Sequence, residues 1–239
     1  LFVKRYEEET NLRAHLVIDA SSSMVFPYQE KKMQNKLSFA IYAAASLIYL
    51  LRKQRDAVGL TLFSDKIDLL TESRLSVVHA QLLYNELNKL LNNQENYLNK
   101  KTDLSATLHI IAENYHKRSL IILFSDFFDK SNAEEIFSAL QHLRFNGHEV
   151  VVFNVLDVDH ELNLKYENRP HKFIDLETGQ VLKLNPGEIR DEFVQNQQAF
   201  QNELKLKCGQ YKIELINVDV KDEFSSVLIP FLIKRSKLF

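Results

Sequence analysis

The sequence predicts an α/β fold: a doubly wound, mostly parallel sheet with helices on both faces and one antiparallel edge strand. Three observations lead there. Strand-length segments such as SLIILFSD (119–126) and HEVVVFNVLD (148–157) are near-continuous apolar runs, the pattern of strands buried on both faces. Strand and helix signals alternate along most of the chain. Only 5 glycines and 4 prolines stand among 239 residues, too few for the many tight turns of a sandwich or barrel.

LRAHLVID (12–19) is the first expected strand, followed by a long apolar helix over 34–54. Its apolar stretch, 37–51, is bounded by Lys36 and Arg52 and falls short of the ~20 residues a bilayer-spanning helix needs, so a completely buried helix is expected. AVGLTLFS (57–64) is a second strand, with KIDLLTE (66–72) pairing back on it as a hairpin. Leu75, Val78, Leu82, Leu83, Leu87 and Leu90 fall at helical spacing. A further helix covers 102–117, capped by Thr102 or Asp103. After the strand at 119–126, an amphipathic helix over 132–145 is stopped by Gly147. Residues 148–157 form the next strand, 172–184 a hairpin around Thr178-Gly179, 189–207 a helix and 211–218 a strand. The chain ends in an apolar helix from about Glu223, kinked by Pro230. No repeat or linker interrupts the pattern. A single domain over 1–239 is expected, with 157–185 as an insertion; the opening LFVKRYEEE, without Met or signal peptide, suggests a fragment of a longer chain.

Composition narrows the function. Thirty basic and 32 acidic residues give a net charge of -2, which excludes a globally basic nucleic-acid binder and a charge-extended disordered chain. Cys208 is the one cysteine and reads as a structural residue in a reducing, cytoplasmic setting. The eight histidines show no HxH or HExxH spacing, so no zinc site is expected. Neither GxGxxG nor GxxxxGK[ST] occurs, which removes the usual dinucleotide and P-loop sites.

Three polar pieces fall where strands end. Asp19-Ala-Ser21-Ser-Ser23 closes the first strand, Asp126 closes the fourth, and Thr102 opens a helix after a polar loop. In the strand order 3-2-1-4-5-6 the first and fourth strands are neighbours, so Asp19 and Asp126 would lie roughly 5 Å apart laterally at the switch point of the sheet. Two carboxylates that close repel in a half-dry crevice, and a cation between them removes the repulsion. Two carboxylates and three hydroxyls are hard oxygen donors, suited to Mg²⁺ or Mn²⁺. Asp126 could otherwise serve as a helix cap, but Asp129 or Ser131 is better placed for that. Phe127 and Phe128 follow directly on the binding face, where one of them is an anchor for a partner or packs beneath the loop.

Asp19-x-Ser21-x-Ser23, then Thr102, then Asp126 resembles the metal-ion-dependent adhesion site of von Willebrand factor A domains, with five motif positions filled in the family's order. The flanking YEEETNLRAHLVIDASSSM, AIYAAASLIYLL, DAVGLTLFSD and KTDLSATL resemble the bacterial domain-of-unknown-function family 58, from about Tyr6 to Val155. That family carries the A-type domain and is commonly encoded beside MoxR-type AAA+ ATPases. The resemblance implies that Ser21 and Ser23 coordinate the ion directly, Asp19 and Asp126 directly or through water, and Thr102 directly in one state. A partner's Asp or Glu would complete the octahedron. The loop before Thr102, often glycine-rich in relatives, is NYLNKK here; Lys100 and Lys101 would repel a cation or attract the partner's acid.

The expected function is a metal-dependent protein-interaction module, not an enzyme, acting with a MoxR-type AAA+ ATPase or its client, with no nucleic-acid partner and no membrane insertion. One alternative is a scaffold with a vestigial metal site. Another is a Mg²⁺-dependent phosphotransferase of the haloacid-dehalogenase kind. That chemistry needs an acid/base Asp two residues after the nucleophilic one, where this chain has Ser21.

Overall fold

The computed structural model describes residues 12–27, 35–98, 100, 102–115, 118–128, 133–177 and 179–236. Lys101, Asp129, Ser131 and Thr178 lie outside the described residues. In chain order the elements are β1 (Arg13–Asp19), a 3-10 turn (Ser22–Val25), α1 (Lys36–Lys53), β2 (Ala57–Phe63), β3 (Ile67–Leu70) and α2 (Val77–Asn92). A second 3-10 turn (Gln94–Tyr97) precedes α3 (Leu104–Asn114), β4 (Leu120–Ser125), α4 (Ala133–Phe145) and β5 (Glu149–Leu156). A π turn (Val158–Leu162) leads to β6 (His171–Ile174), β7 (Val181–Leu184), α5 (Pro186–Gln210), β8 (Glu214–Asp219) and α6 (Phe224–Ser236).

One six-stranded sheet runs β3-β2-β1-β4-β5-β8, and β6 and β7 form a separate antiparallel pair. Every pairing in the large sheet is parallel except that of edge strand β3 with β2. The sheet is the doubly wound one that the apolar runs predict. After β2 the chain returns across β1 to build β4, β5 and β8 on the other side, which makes the β1/β4 boundary the switch point.

Alternation along each strand feeds two cores. Leu16 and Ile18 of β1, Ile122 and Phe124 of β4, and Val151 and Phe153 of β5 face one side, under α1, α2 and α6. Val17, Ile121, Leu123, Val150 and Val152 face the other, with α3, α4 and residues Leu204 and Cys208 of α5. Each such Leu, Ile, Val or Phe contributes about 1.5–3 kcal/mol by leaving water. Cys208 is a core thiol, whose pKa burial pushes up to about 11. Asn35, Ser76 and Asp103 cap α1, α2 and α3 by accepting from backbone N–H groups two or three residues into each helix. Asp103, not Thr102, is therefore the cap, and Thr102 is left for another task.

The expectation of a completely buried first helix needs correcting. Most of α1 is buried, but Tyr49 is 52% exposed and Tyr42, Ala45 and Ser46 line an open hollow with Val220 and Phe224. Among the described residues no helix is long and apolar enough to cross a membrane.

Candidate metal centre

β1 ends on Asp19 because the chain must leave the sheet there, and the carboxylate turns back to hold its own loop. Asp19 Oδ1 accepts from the Ser21 N–H at 3.0 Å, and Oδ2 accepts from the Ser125 hydroxyl at 2.8 Å. The second bond ties the end of β1 to the end of β4. Asp19 and Asp126 are buried, at 1% and 3% exposure. Burial, followed by the charge of Asp126, pushes the Asp19 carboxyl up to about 7, despite the opposing bonds from Ser21 and Ser125.

Ser21 and Ser23 share a hydrogen bond between their hydroxyls at 3.0 Å, both side chains lying on the loop above Asp19. Ser22, between them, turns the other way. Its hydroxyl reaches the carbonyls of Lys100 at 2.7 Å and Tyr97 at 3.0 Å, and accepts from the Lys100 N–H at 2.7 Å. The Asp103 N–H donates to the Ser64 carbonyl at 3.2 Å, at the end of the neighbouring β2. Thr102 is thus held between two anchors on the crest of the sheet. Its Oγ1 is buried and has no hydrogen-bond partner among the described residues. Lys100 does not point a free charge at the site: its ammonium sits 3.4 Å from Asp68 and over the Tyr97 ring.

Asp126 is engaged from two sides. Oδ1 accepts from the Phe128 N–H at 2.9 Å, and Oδ2 accepts from the Lys36 ammonium at 2.6 Å. Lys36, the first residue of α1, has no exposed surface, and its ammonium also bonds Glu161 of the π turn. Burial alone would push the Lys36 ammonium down, but Asp126 and Glu161 outweigh it and its pKa is raised. Burial raises Glu161 in turn, against the pull of Lys36. The sequence reading missed both residues; the one signal was a lysine at a helix start, where the helix dipole favours an acid.

The paired phenylalanines separate. Phe127 adopts φ 53°, a conformation rare for a bulky residue, and its ring packs into the core with 4% exposure. Phe128 is 46% exposed and borders a hollow of about 500 Å³ whose walls include Ser23, Glu161, Tyr166 and Leu182. Only Phe128 has the placement of an anchor.

Asp19, Ser21, Ser23, Thr102 and Asp126 therefore share one crest, at the ends of β1 and β4 and the start of α3. Among the described residues no three His, Cys, Asp or Glu side chains form a metal-holding group. An ion would rely on hydroxyls as well as carboxylates. The donors fit a hard cation: all are oxygens, one hydroxyl has no partner among the described residues, and burial together with the charge of Asp126 raises the cost of ionising Asp19.

The aerotolerance-related membrane protein from Bacteroides fragilis NCTC 9343, in a form with multiple mutations to serines, is similar at a TM-score of 0.57 and 14% identity, over 95% of this chain and 99% of that one. BatB, a conserved hypothetical protein from Bacteroides thetaiotaomicron, is similar at a TM-score of 0.49 and 14% identity, over 84% and 98%. At such identities the first likeness shows the fold alone. No curated protein matches the sequence. Residues 1–203 match the family described as protein of unknown function DUF58, and to that family the chain belongs.

Proposed function

We propose that the chain is a non-enzymatic protein-interaction module that takes a partner's Asp or Glu through a divalent cation, Mg²⁺ or Mn²⁺, held on the β1/β4 crest. The observation that carries this reading is the buried Thr102 Oγ1, without a partner among the described residues, on the crest that also bears Asp19, Ser21, Ser23 and Asp126. A polar group left so costs about 1–3 kcal/mol, which coordination would recover. Ser21, Ser23 and Thr102 would supply neutral oxygens; Asp19 and Asp126 would supply charge, directly or through water. When bound, the ion supplies a Lewis-acidic vertex for one carboxylate from outside. The chain's own residues orient the set: Ser125 holds Asp19, Ser22 holds the Thr102 loop, and Asp126 is steered by the Phe128 N–H.

The partner we infer is a MoxR-type AAA+ ATPase or its client, and the support is the sequence resemblance. A phosphotransferase is less favoured, because Ser21 stands where an acid/base carboxylate is needed and its hydroxyl is bonded to Ser23. A pull-down with and without EDTA, on wild type and Asp126→Ala, tests the reading. Capture of the ATPase or client should be lost with EDTA and in the variant; capture indifferent to both would overturn it. Turnover of a phosphomonoester that needs Mg²⁺ and disappears in Asp19→Asn would favour the enzyme instead.

A further inference from the structure

Lys36 is, among the described residues, the only buried lysine or arginine. Its place is unfavourable twice over. A cation in the first turn of a helix opposes the helix dipole. An ammonium taken out of water is costly unless it is paired and hydrogen-bonded. Both costs are offset by two carboxylates: Asp126 Oδ2 at 2.6 Å, and Glu161. Glu161 is itself fixed, its Oε2 accepting from the Asp157 N–H at 2.8 Å. Asn35 anchors the helix start that carries Lys36, accepting from the Ser38 N–H at 2.8 Å and donating to Gln94 at 2.6 Å. The lysine is delivered to the crest by a built scaffold, with the Phe26 ring 5.7 Å from its nitrogen.

The donors of the crest fall into two sets. Ser21, Ser23 and Thr102 make no bond to Lys36. Asp126 is the ligand that the ammonium takes for itself. Two carboxyls, Asp126 and Glu161, share the one ammonium, and Asp19 is not among its partners.

We infer that Lys36 is a tethered cation that competes with the divalent ion for Asp126, with Glu161 as the carboxylate that keeps the ammonium when the ion binds. The inference rests on the reading of the crest as a cation site. It makes Lys36 a residue that sets ion affinity: the site is weak by construction, because a charge already inside must give up one of its two partners. Glu161 tunes the exchange, since an ammonium with an alternative acceptor releases Asp126 more readily.

Calorimetric titration of MgCl₂ and MnCl₂ into wild type, Lys36→Met, Lys36→Arg and Glu161→Gln tests this, with Mn²⁺ paramagnetic resonance as a second readout. Removing a unit charge a few ångströms from the ion should tighten binding by about tenfold or more in Lys36→Met. Lys36→Arg keeps the charge and should not tighten. Glu161→Gln should weaken binding by a comparable factor. If Lys36→Met does not fold, the Glu161→Gln direction decides: binding equal to or tighter than wild type overturns the inference. Ion binding by wild type that is no tighter in Lys36→Met also overturns it, and leaves the proposed function standing. Binding by Lys36→Met but not by wild type supports the inference and overturns an ion-dependent function for the natural chain. No binding by either overturns both.

Discussion

Ser22 and Lys100, 78 residues apart, exchange hydrogen bonds: the hydroxyl donates to the Lys100 carbonyl at 2.7 Å and accepts from its N–H at 2.7 Å. The middle serine of the SSS run contributes no oxygen to the crest. It fastens the loop that brings Thr102 to it. Ser22→Ala leaves the Lys100 N–H without its acceptor, while the Lys100 carbonyl keeps the Ser22 N–H at 3.2 Å, and should cost about 1–3 kcal/mol in urea unfolding. It should also weaken Mg²⁺ binding, because Thr102 loses one of its two anchors. Unchanged affinity in the folded variant would mean that Thr102 is placed without Ser22.

The electrostatics of Asp19 give a dependence on pH with a definite sign. Its carboxyl is pushed up to about 7 by burial first and by Asp126 second. Between its ordinary value, ~3.9, and 7 the folded chain holds a proton that the unfolded chain has released. The contribution of this group to stability is complete below about pH 4 and is lost as pH rises through 7. In EDTA, Asp19→Asn should therefore be more stable than wild type at pH 8, by about 2–4 kcal/mol, and close to it only at pH 4 and below. Urea midpoints of the two proteins across that range measure it; parallel profiles would show that Asp19 carries no buried charge. In wild type at pH 8, Mg²⁺ at a hundredfold excess over Kd should add about 2.7 kcal/mol.

The fold was legible because its causes are local. Apolar runs such as LIILFS and VVVFNVL mark strands covered on both faces, and their order fixes where Asp19 and Asp126 emerge. The Thr102 position was legible from its place before a helix, once Asp103 is recognised as the cap. Lys36 and Glu161 were not legible. Lys36 stands at the edge of an apolar run and reads as a boundary charge; its burial follows from acids 90 and 125 positions away, which no local pattern reports. Ser22 is hidden similarly, as one serine among three. The opposite fates of Phe127 and Phe128 follow from a single positive φ that the residue types do not encode.

Gly59 in β2 tests the packing beneath the site. A Cβ there would lie 2.8 Å from the Thr71 carbonyl oxygen and 2.9 Å from His15 Nδ1, and the His15 ring is stacked on Tyr115 at 3.7 Å. Neither neighbour can step aside freely: one is backbone, the other a buried ring. Gly59→Ala should cost about 1–3 kcal/mol by overpacking. Ion affinity of the folded variant should be unchanged, since the clash lies toward β3 and away from the crest. A neutral melting temperature would mean that the His15–Tyr115 stack yields.

Phe127 and Phe128 separate stability from recognition within one dipeptide. Phe127, 4% exposed, packs among the residues between the sheet and α3 and α4, so Phe127→Ala should cost about 3–5 kcal/mol. Phe128, 46% exposed on the rim of the hollow beside Asp126, has little to lose on folding, and Phe128→Ala should stay within about 1 kcal/mol of wild type. If a partner docks at the crest, Phe128 is the large apolar side chain next to the ion's own ligand, and its removal should weaken capture by about tenfold or more. Thermal melts and EDTA-sensitive capture on the same two variants separate the effects. Loss of capture in Phe127→Ala at a temperature where it is folded, with Phe128→Ala capturing normally, would move the docking surface away from this rim.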